Sequence, residues 1–269
     1  MRPDVIELQA FYGSRQGQLV RRLLLRQVRA LWPDLAGCRV LGLGYAVPFL
    51  GPLAESAERV CAVMPQSQGV VRWPQDRPNV VALAADDGLP LADRSIDRVL
   101  MVHALESAEP LRPLLREIWR VLADGGEAII VVPNRRGLWC LSEATPFGSG
   151  RPYSSSQLKE LLRNNLFTPK RTARALFVPP SRWPVVLRTA TAWERVGSRW
   201  ARHFAGVLVM AAEKQIYAAP MEPAVRRRAP AYAHVPRGVA AAERVREPAE
   251  ARPQRQARSG GSARTAPAR

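Results

Sequence analysis

The sequence predicts an α/β protein: a seven-stranded, mostly parallel sheet with helices on both faces, an N-terminal helical extension and a disordered C-terminal tail. Three observations carry that expectation. Apolar runs of strand length alternate with helical periodicity between Cys38 and Val132, which implies right-handed crossovers and a sheet covered on both sides. The first of these runs, Cys38 to Leu50, holds two spaced glycines and a proline, so the backbone can turn sharply at a strand end where open sheets gather ligands. Beyond Pro220 the chain carries 11 Arg against 4 Glu, with much Pro and Ala and few large apolar residues. Such a segment cannot offset the entropy of ordering. The expected domains are 1–36, a helical lid; 37–219, the α/β domain; and 220–269, a disordered basic tail.

Taken in order, Asp4 to Trp32 reads as two helices. Val5, Leu8 and Phe11 recur at intervals of three, then Leu19, Leu23, Val28 and Leu31 stand behind an Arg-rich face, with Ser14 as a cap. Phe11 and Tyr12 fall at the joint between these helices, either folded over a site or stapling the helix to the core. Trp32 to Gly37 delivers the chain to the first strand. A helix from Pro48 to about Ala57 leads to strand two, Arg59 to Met64, which Pro65 ends. Strand three is expected at Asn79 to Ala85, before Asp86, Asp87 and Gly88. Strand four runs from Ser95 to Val102 and ends on His103. A helix from Pro110 to Leu122 then turns at Asp124-Gly125-Gly126 into strand five, Glu127 to Val132. A helix is expected from Ser155 to Leu166, two further strands at Arg174 to Val178 and Gly206 to Ala212, and an amphipathic helix between them from Trp183 to Trp200.

A chain of 269 residues, 47% hydrophobic, is long enough for one good core. Its net charge of +17 raises nucleic acid or an acidic surface as a weak partner, and about +7 of that excess falls in the tail. Cys38, Cys61 and Cys140 are odd in number and form no CxxC pair, which argues against a disulfide framework or a zinc site and fits a reducing cytoplasm. No run approaches the ~20 apolar residues of a membrane span, and no signal peptide is recognised. The oligomeric state stays open.

From residue 38 to 135 the order of motifs resembles a class I S-adenosylmethionine-dependent methyltransferase of the type 11 kind, a Rossmann-like fold. The resemblance rests on the Gly42-Leu43-Gly44 turn, on Leu89 to Val99, and on Leu115-Arg116-Glu117 through Gly126 with the strand that follows. It implies S-adenosylmethionine as cofactor and in-line methyl transfer to a small molecule. It also places the cofactor against Gly42, Gly44, Tyr45, Ala46, Met64, Pro65, Asp86, Asp87, Gly88 and His103. Within that pattern Asp86 stands where the family meets the adenine amino group. The departures fall on ligand-contacting positions. Ala46 stands in place of a glycine, Pro48 removes a backbone donor, and Met64 occupies the position of the carboxylate that holds the ribose, leaving Gln66 as a substitute.

His103 is the candidate proton acceptor, since an imidazole titrates near neutrality, with Glu106 to orient it and Tyr12 as a second catalytic candidate. Histidine at a strand end also serves simply to bond a loop carbonyl. Asp97 and Glu117 read as framework carboxylates. Arg135, Arg136 and Arg151 with Tyr153 read either as a basic rim for an anionic substrate or as solvated surface. Two other readings stand beside the enzyme: a degenerate member of the fold acting as a binding or assembly module, and a nucleic-acid binder. Against the latter, His103-Ala104-Leu105-Glu106 is unlike the Asn-Pro-Pro-Tyr type of tetrapeptide of base-methylating enzymes.

Overall fold

A computed structural model describes residues 3–216. The expectation of a disordered tail at 220–269 lies outside the described residues. Seven strands form one sheet: β1 (Arg39–Gly44), β2 (Arg59–Pro65), β3 (Val81–Ala84), β4 (Ile96–Val102), β5 (Leu122–Pro133), β6 (Phe167–Ala175) and β7 (Val207–Lys214). Their order is β3-β2-β1-β4-β5-β7-β6. β1 to β5 pair in parallel, and β7 runs antiparallel to both β5 and β6. The chain winds outward from β1 to β3, then restarts at β4 on the other side of β1. Between the carboxyl ends of β1 and β4 lies the switch point where open α/β sheets form their crevice.

Alternate residues of the central strands enter different cores, as the two-residue period of a strand requires. Val40, Leu100, Ile129 and Val209 pack on one face with α1 (Val5–Gly13), α2 (Arg15–Leu31) and α3 (Val47–Ala54). Leu41, Val99, Met101 and Ile130 pack on the other with α4 (Leu111–Val121) and α5 (Ser155–Arg163). Caps set the helix starts. Asp4 accepts from the Ile6 N–H, Ser14 from the Gly17 N–H, and Ser154 forms a capping box with Gln157.

The framework carboxylates hold the sheet together. Asp97 accepts from the Arg39 guanidinium at 2.9 and 3.1 Å and from its backbone N–H at 2.8 Å, tying β4 to the start of β1. Glu117 accepts from the Leu89 N–H at 2.8 Å and from Arg120, which also donates to the carbonyls of Leu89 and Leu91. The Leu89 to Val99 and Leu115 to Gly126 motifs thus lock one crossover to the next.

Two expectations are corrected. The sixth strand begins at Phe167, not Arg174, and leaves the sheet at Leu176, where φ is +63°. The expected single helix from Trp183 to Trp200 is two, α6 (Pro184–Arg188) and α7 (Ala190–Trp200), broken at Thr189, whose hydroxyl donates back to the Val185 carbonyl at 2.9 Å.

The Arg39 guanidinium holds the Asp97 carboxyl below its usual range, mainly by hydrogen bonding. A depressed carboxylate contributes stability above its unfolded value near 4 and loses it as pH falls through the folded one. Asp97→Asn is therefore expected to cost about 1.5 to 3 kcal/mol at neutral pH. In urea unfolding the gap to wild type should narrow as the pH drops below 4.

Candidate active site

At the carboxyl ends of β1 and β4 the chain buries a line of polar groups. His103 follows β4 with φ +52° and is 1% exposed. A positive φ in a non-glycine residue is unusual, and such positions gather at functional sites. Its Nε2 lies 2.9 Å from the Tyr12 hydroxyl, and its Nδ1 lies 3.2 Å from Glu106 Oε1. For a neutral imidazole, Tyr12 donates to Nε2 and Nδ1–H donates to Glu106. Glu106 is buried as well, and its Oε2 has no partner among the described residues.

The last turn of α1 brings Tyr12 into this line across 91 positions of sequence. Its ring stacks on Tyr45 at 5.6 Å and meets Phe49 edge-on at 5.7 Å. Phe11, next to it, touches Phe147 at 6.3 Å, and Phe147 in turn lies 4.8 Å from the His103 ring. From the opposite wall, the Gln68 side chain donates to the His103 carbonyl at 3.0 Å, and the Val5 N–H donates to the Gln68 carbonyl at 2.8 Å. Gln68 therefore bridges the loop after β2 to the end of β4 while it anchors the start of α1. Burial, then the Glu106 charge, then Tyr45 raise the Tyr12 phenol well above the usual range. Burial pushes Tyr45 up to about 12.

The glycine turn is packed against the chain itself. Gly44 sits at φ +73°, and a Cβ there would lie 2.4 Å from the Val102 carbonyl oxygen; one on Gly42 would lie 2.8 Å from Leu50. The Tyr45 N–H donates to the Val102 carbonyl and the Phe49 N–H to Ala46, while Pro48, in the first turn of α3, has no N–H. Ala46, Met64 and Pro65 are buried at the ends of their elements. Asp86 is partly buried beyond β3; Asp87 and Gly88 are exposed, as are Gln66, Arg135, Arg136 and Arg151. Of the sequence candidates, Tyr12, Tyr45, His103 and Glu106 come together at one point. Gln68, Phe49 and Phe147 belong to the same cluster and were not singled out by their pattern in the chain.

The fold and part of the sequence are shared with known proteins. Residues 41–130 match the family model of the methyltransferase domain. The matched stretch runs from β1 into β5 and is similar to that domain. A SAM-dependent methyltransferase from Thermotoga maritima is similar at 20% identity with TM-score 0.57, over 78% of this chain and 95% of that one. One from Archaeoglobus fulgidus gives 21% and 0.52 over 77% and 97%. The 4+2 cyclase SpnF gives 17% and 0.50 over 72% and 81%. No curated protein matches the sequence.

For S-adenosylmethionine, the cofactor that the sequence resemblance implies, the strand ends of this chain offer an uneven set of partners. The sharp turn at Gly44 and the carboxylate of Asp86 beyond β3 suit such a ligand. The ribose position after β2 offers Met64, fully buried and without an acceptor for a diol. The turn's Tyr45 and Phe49 donors are spent on the chain, Tyr12 stacks on Tyr45 and Gln68 bonds the His103 carbonyl. As packed, Tyr12 lies against Tyr45 and Phe49 at the carboxyl end of β1, and a cavity of about 340 Å³ remains beside Tyr12, Tyr45 and Pro48.

Tyr12→Phe leaves the buried His103 Nε2 without a partner and is expected to cost about 1 to 3 kcal/mol, measured by urea unfolding. Because the folded phenol is raised, its contribution is complete below pH 10 and fades as pH rises above it. The variant should therefore lose less stability than wild type between neutrality and the alkaline limb.

Proposed function

We propose that this methyltransferase domain acts on a small molecule with S-adenosylmethionine, and that α1 is a gate whose withdrawal admits the cofactor. The observation that carries the reading is the buried Tyr12–His103–Glu106 line at the switch point of the sheet. A strained histidine braced by a carboxylate costs stability and suits a group that moves a proton. Glu106 and Tyr12 hold the ring; His103 receives the proton that an oxygen or nitrogen acceptor gives up. Tyr12 is then a positioning residue in the closed state and leaves His103 free to face an acceptor when α1 withdraws.

A groove supports a small acceptor. It has a volume near 580 Å³ and lies between the α1–α2 joint and the loop at 143–149, with Glu7, Phe11, Arg15, Thr145 and Arg182 among its lining. That size is within the ordinary range for small-molecule sites. Its inner wall, Phe11, rests on Phe147 over His103, so the same movement of α1 that admits a cofactor would open the groove toward the imidazole.

The filled crevice and Met64 favour a second reading, a degenerate member of the fold that binds a partner without the cofactor. Calorimetry with S-adenosylmethionine separates the two. The enzyme reading expects saturable binding that Asp86→Ala weakens about tenfold or more. It also expects Tyr12→Phe to tighten binding, because less of the interaction is spent on opening. Heatless titrations at millimolar cofactor for wild type and Tyr12→Phe alike would overturn it in favour of the second.

A further inference from the structure

The helical insertion between β6 and β7 leaves a large apolar surface uncovered. On α7, Trp193, Val196 and Trp200 recur at intervals of three and four and are 45%, 60% and 82% exposed. The inward face of the same helix is Ala190, Glu194 and Gly197, so the tryptophan stripe faces away from the core. Glu194 is the only carboxylate between Arg182 and Phe204, and it is turned inward, accepting from the N–H groups of Phe177 and Val178. Outside stand Arg182, Arg188, Arg195, Arg199 and Arg202, all exposed. None of them pairs with a carboxylate among the described residues. Trp183 and Phe204 at the two ends of the segment are 74% and 64% exposed.

Alongside, a groove of about 690 Å³ runs between α2 and α6–α7. Arg15, Arg22, Arg26 and Arg188 line it, with Leu19 and Leu23 among its apolar residues. On α7 itself Arg199, three residues beyond Val196, stands beside the tryptophan stripe.

We propose that this face docks on an anionic phospholipid surface, with Trp193 and Trp200 seated at the headgroup boundary and the arginines on lipid phosphates. Indole rings favour that boundary because one end is apolar and the other can hydrogen-bond. An amphipathic helix with tryptophan on one face and arginine beside it is the kind of element that lies in such an interface. Charge decides among occupants. A second copy would set one row of arginines against another. An RNA strand would satisfy the arginines but gains nothing from Val196. A negative bilayer satisfies both halves, and each arginine near it is worth roughly fivefold in binding.

Co-sedimentation of the full chain with vesicles tests this. One set is phosphatidylcholine alone; the other contains about a third phosphatidylglycerol. Wild type is expected in the pellet with the anionic set only. Trp193→Ala/Trp200→Ala should weaken partitioning about tenfold or more, and Arg195→Gln/Arg199→Gln by roughly 25-fold, both with unchanged thermal melting because these side chains are exposed. Equal pelleting of wild type and both variants would assign any binding to charge elsewhere in the chain and overturn the proposal. So would equal pelleting with neutral vesicles. Tryptophan-dependent retention on polyuridylate, without retention on vesicles, would overturn it in favour of RNA.

Discussion

The hydrogen-bonded line from Tyr12 through His103 to Glu106 is the constraint on which the rest of this structure depends. It joins the first helix to the end of the fourth strand across the mouth of the sheet, at the place where the fold otherwise opens. Everything nearby is arranged around it. Tyr45 and Phe49 flank the phenol, Phe147 covers the imidazole, and Gln68 holds the His103 carbonyl while tying down the start of α1. Inside a protein each such bond is strong because the surroundings are poorly polarisable, and each unpartnered group is costly for the same reason. The oxygens of Glu106 and Gln68 that lack a partner among the described residues are therefore the weak points of an otherwise closed cluster.

Much of the sheet was legible in the sequence because parallel strands covered on both faces read as continuous apolar runs. β1, β2, β4 and β5 are of that kind. β6 was misplaced because it is an edge strand. Thr168, Lys170, Arg171 and Thr172 alternate with little apolar content, Pro169 sits at an irregularity in its pairing, and its place is secured by β7, the Lys170–Glu213 ion pair and an Arg171 bond to the Leu31 carbonyl. The break at Thr189 was hidden for a different reason. Apolar periodicity continues across it, and only the hydroxyl's local bond marks it.

The site was half legible. His103, Glu106 and Tyr12 stand at the ends of elements and carry recognisable chemistry, so each could be nominated alone. That Tyr12 reaches into the crevice and bonds His103 depends on the angle at which α1 meets the sheet, which no local pattern encodes. Gln68 lies in a loop without periodicity and had no signal at all. The departures at Ala46, Pro48 and Met64 were visible from the beginning, and the structure supplies a physical setting for them. A turn whose Tyr45 and Phe49 donors are satisfied internally, beside a buried methionine, suits a crevice closed by the chain's own side chains.

Locking α1 tests the central claim that its position governs access to the crevice. An ideal Cβ on Gly69 lies 3.6 Å from the Val5 Cβ, within the span of a disulfide; the strain of a side chain at φ +87° is common to the oxidised and reduced forms, so the reduced protein is the reference. Binding of S-adenosylmethionine to a Val5→Cys/Gly69→Cys protein should be measured calorimetrically in its oxidised and reduced forms. A gate requires binding to fall by about tenfold or more on oxidation and to return on reduction. The same affinity in both forms would contradict the account, because α1 would then have no part in admitting the ligand.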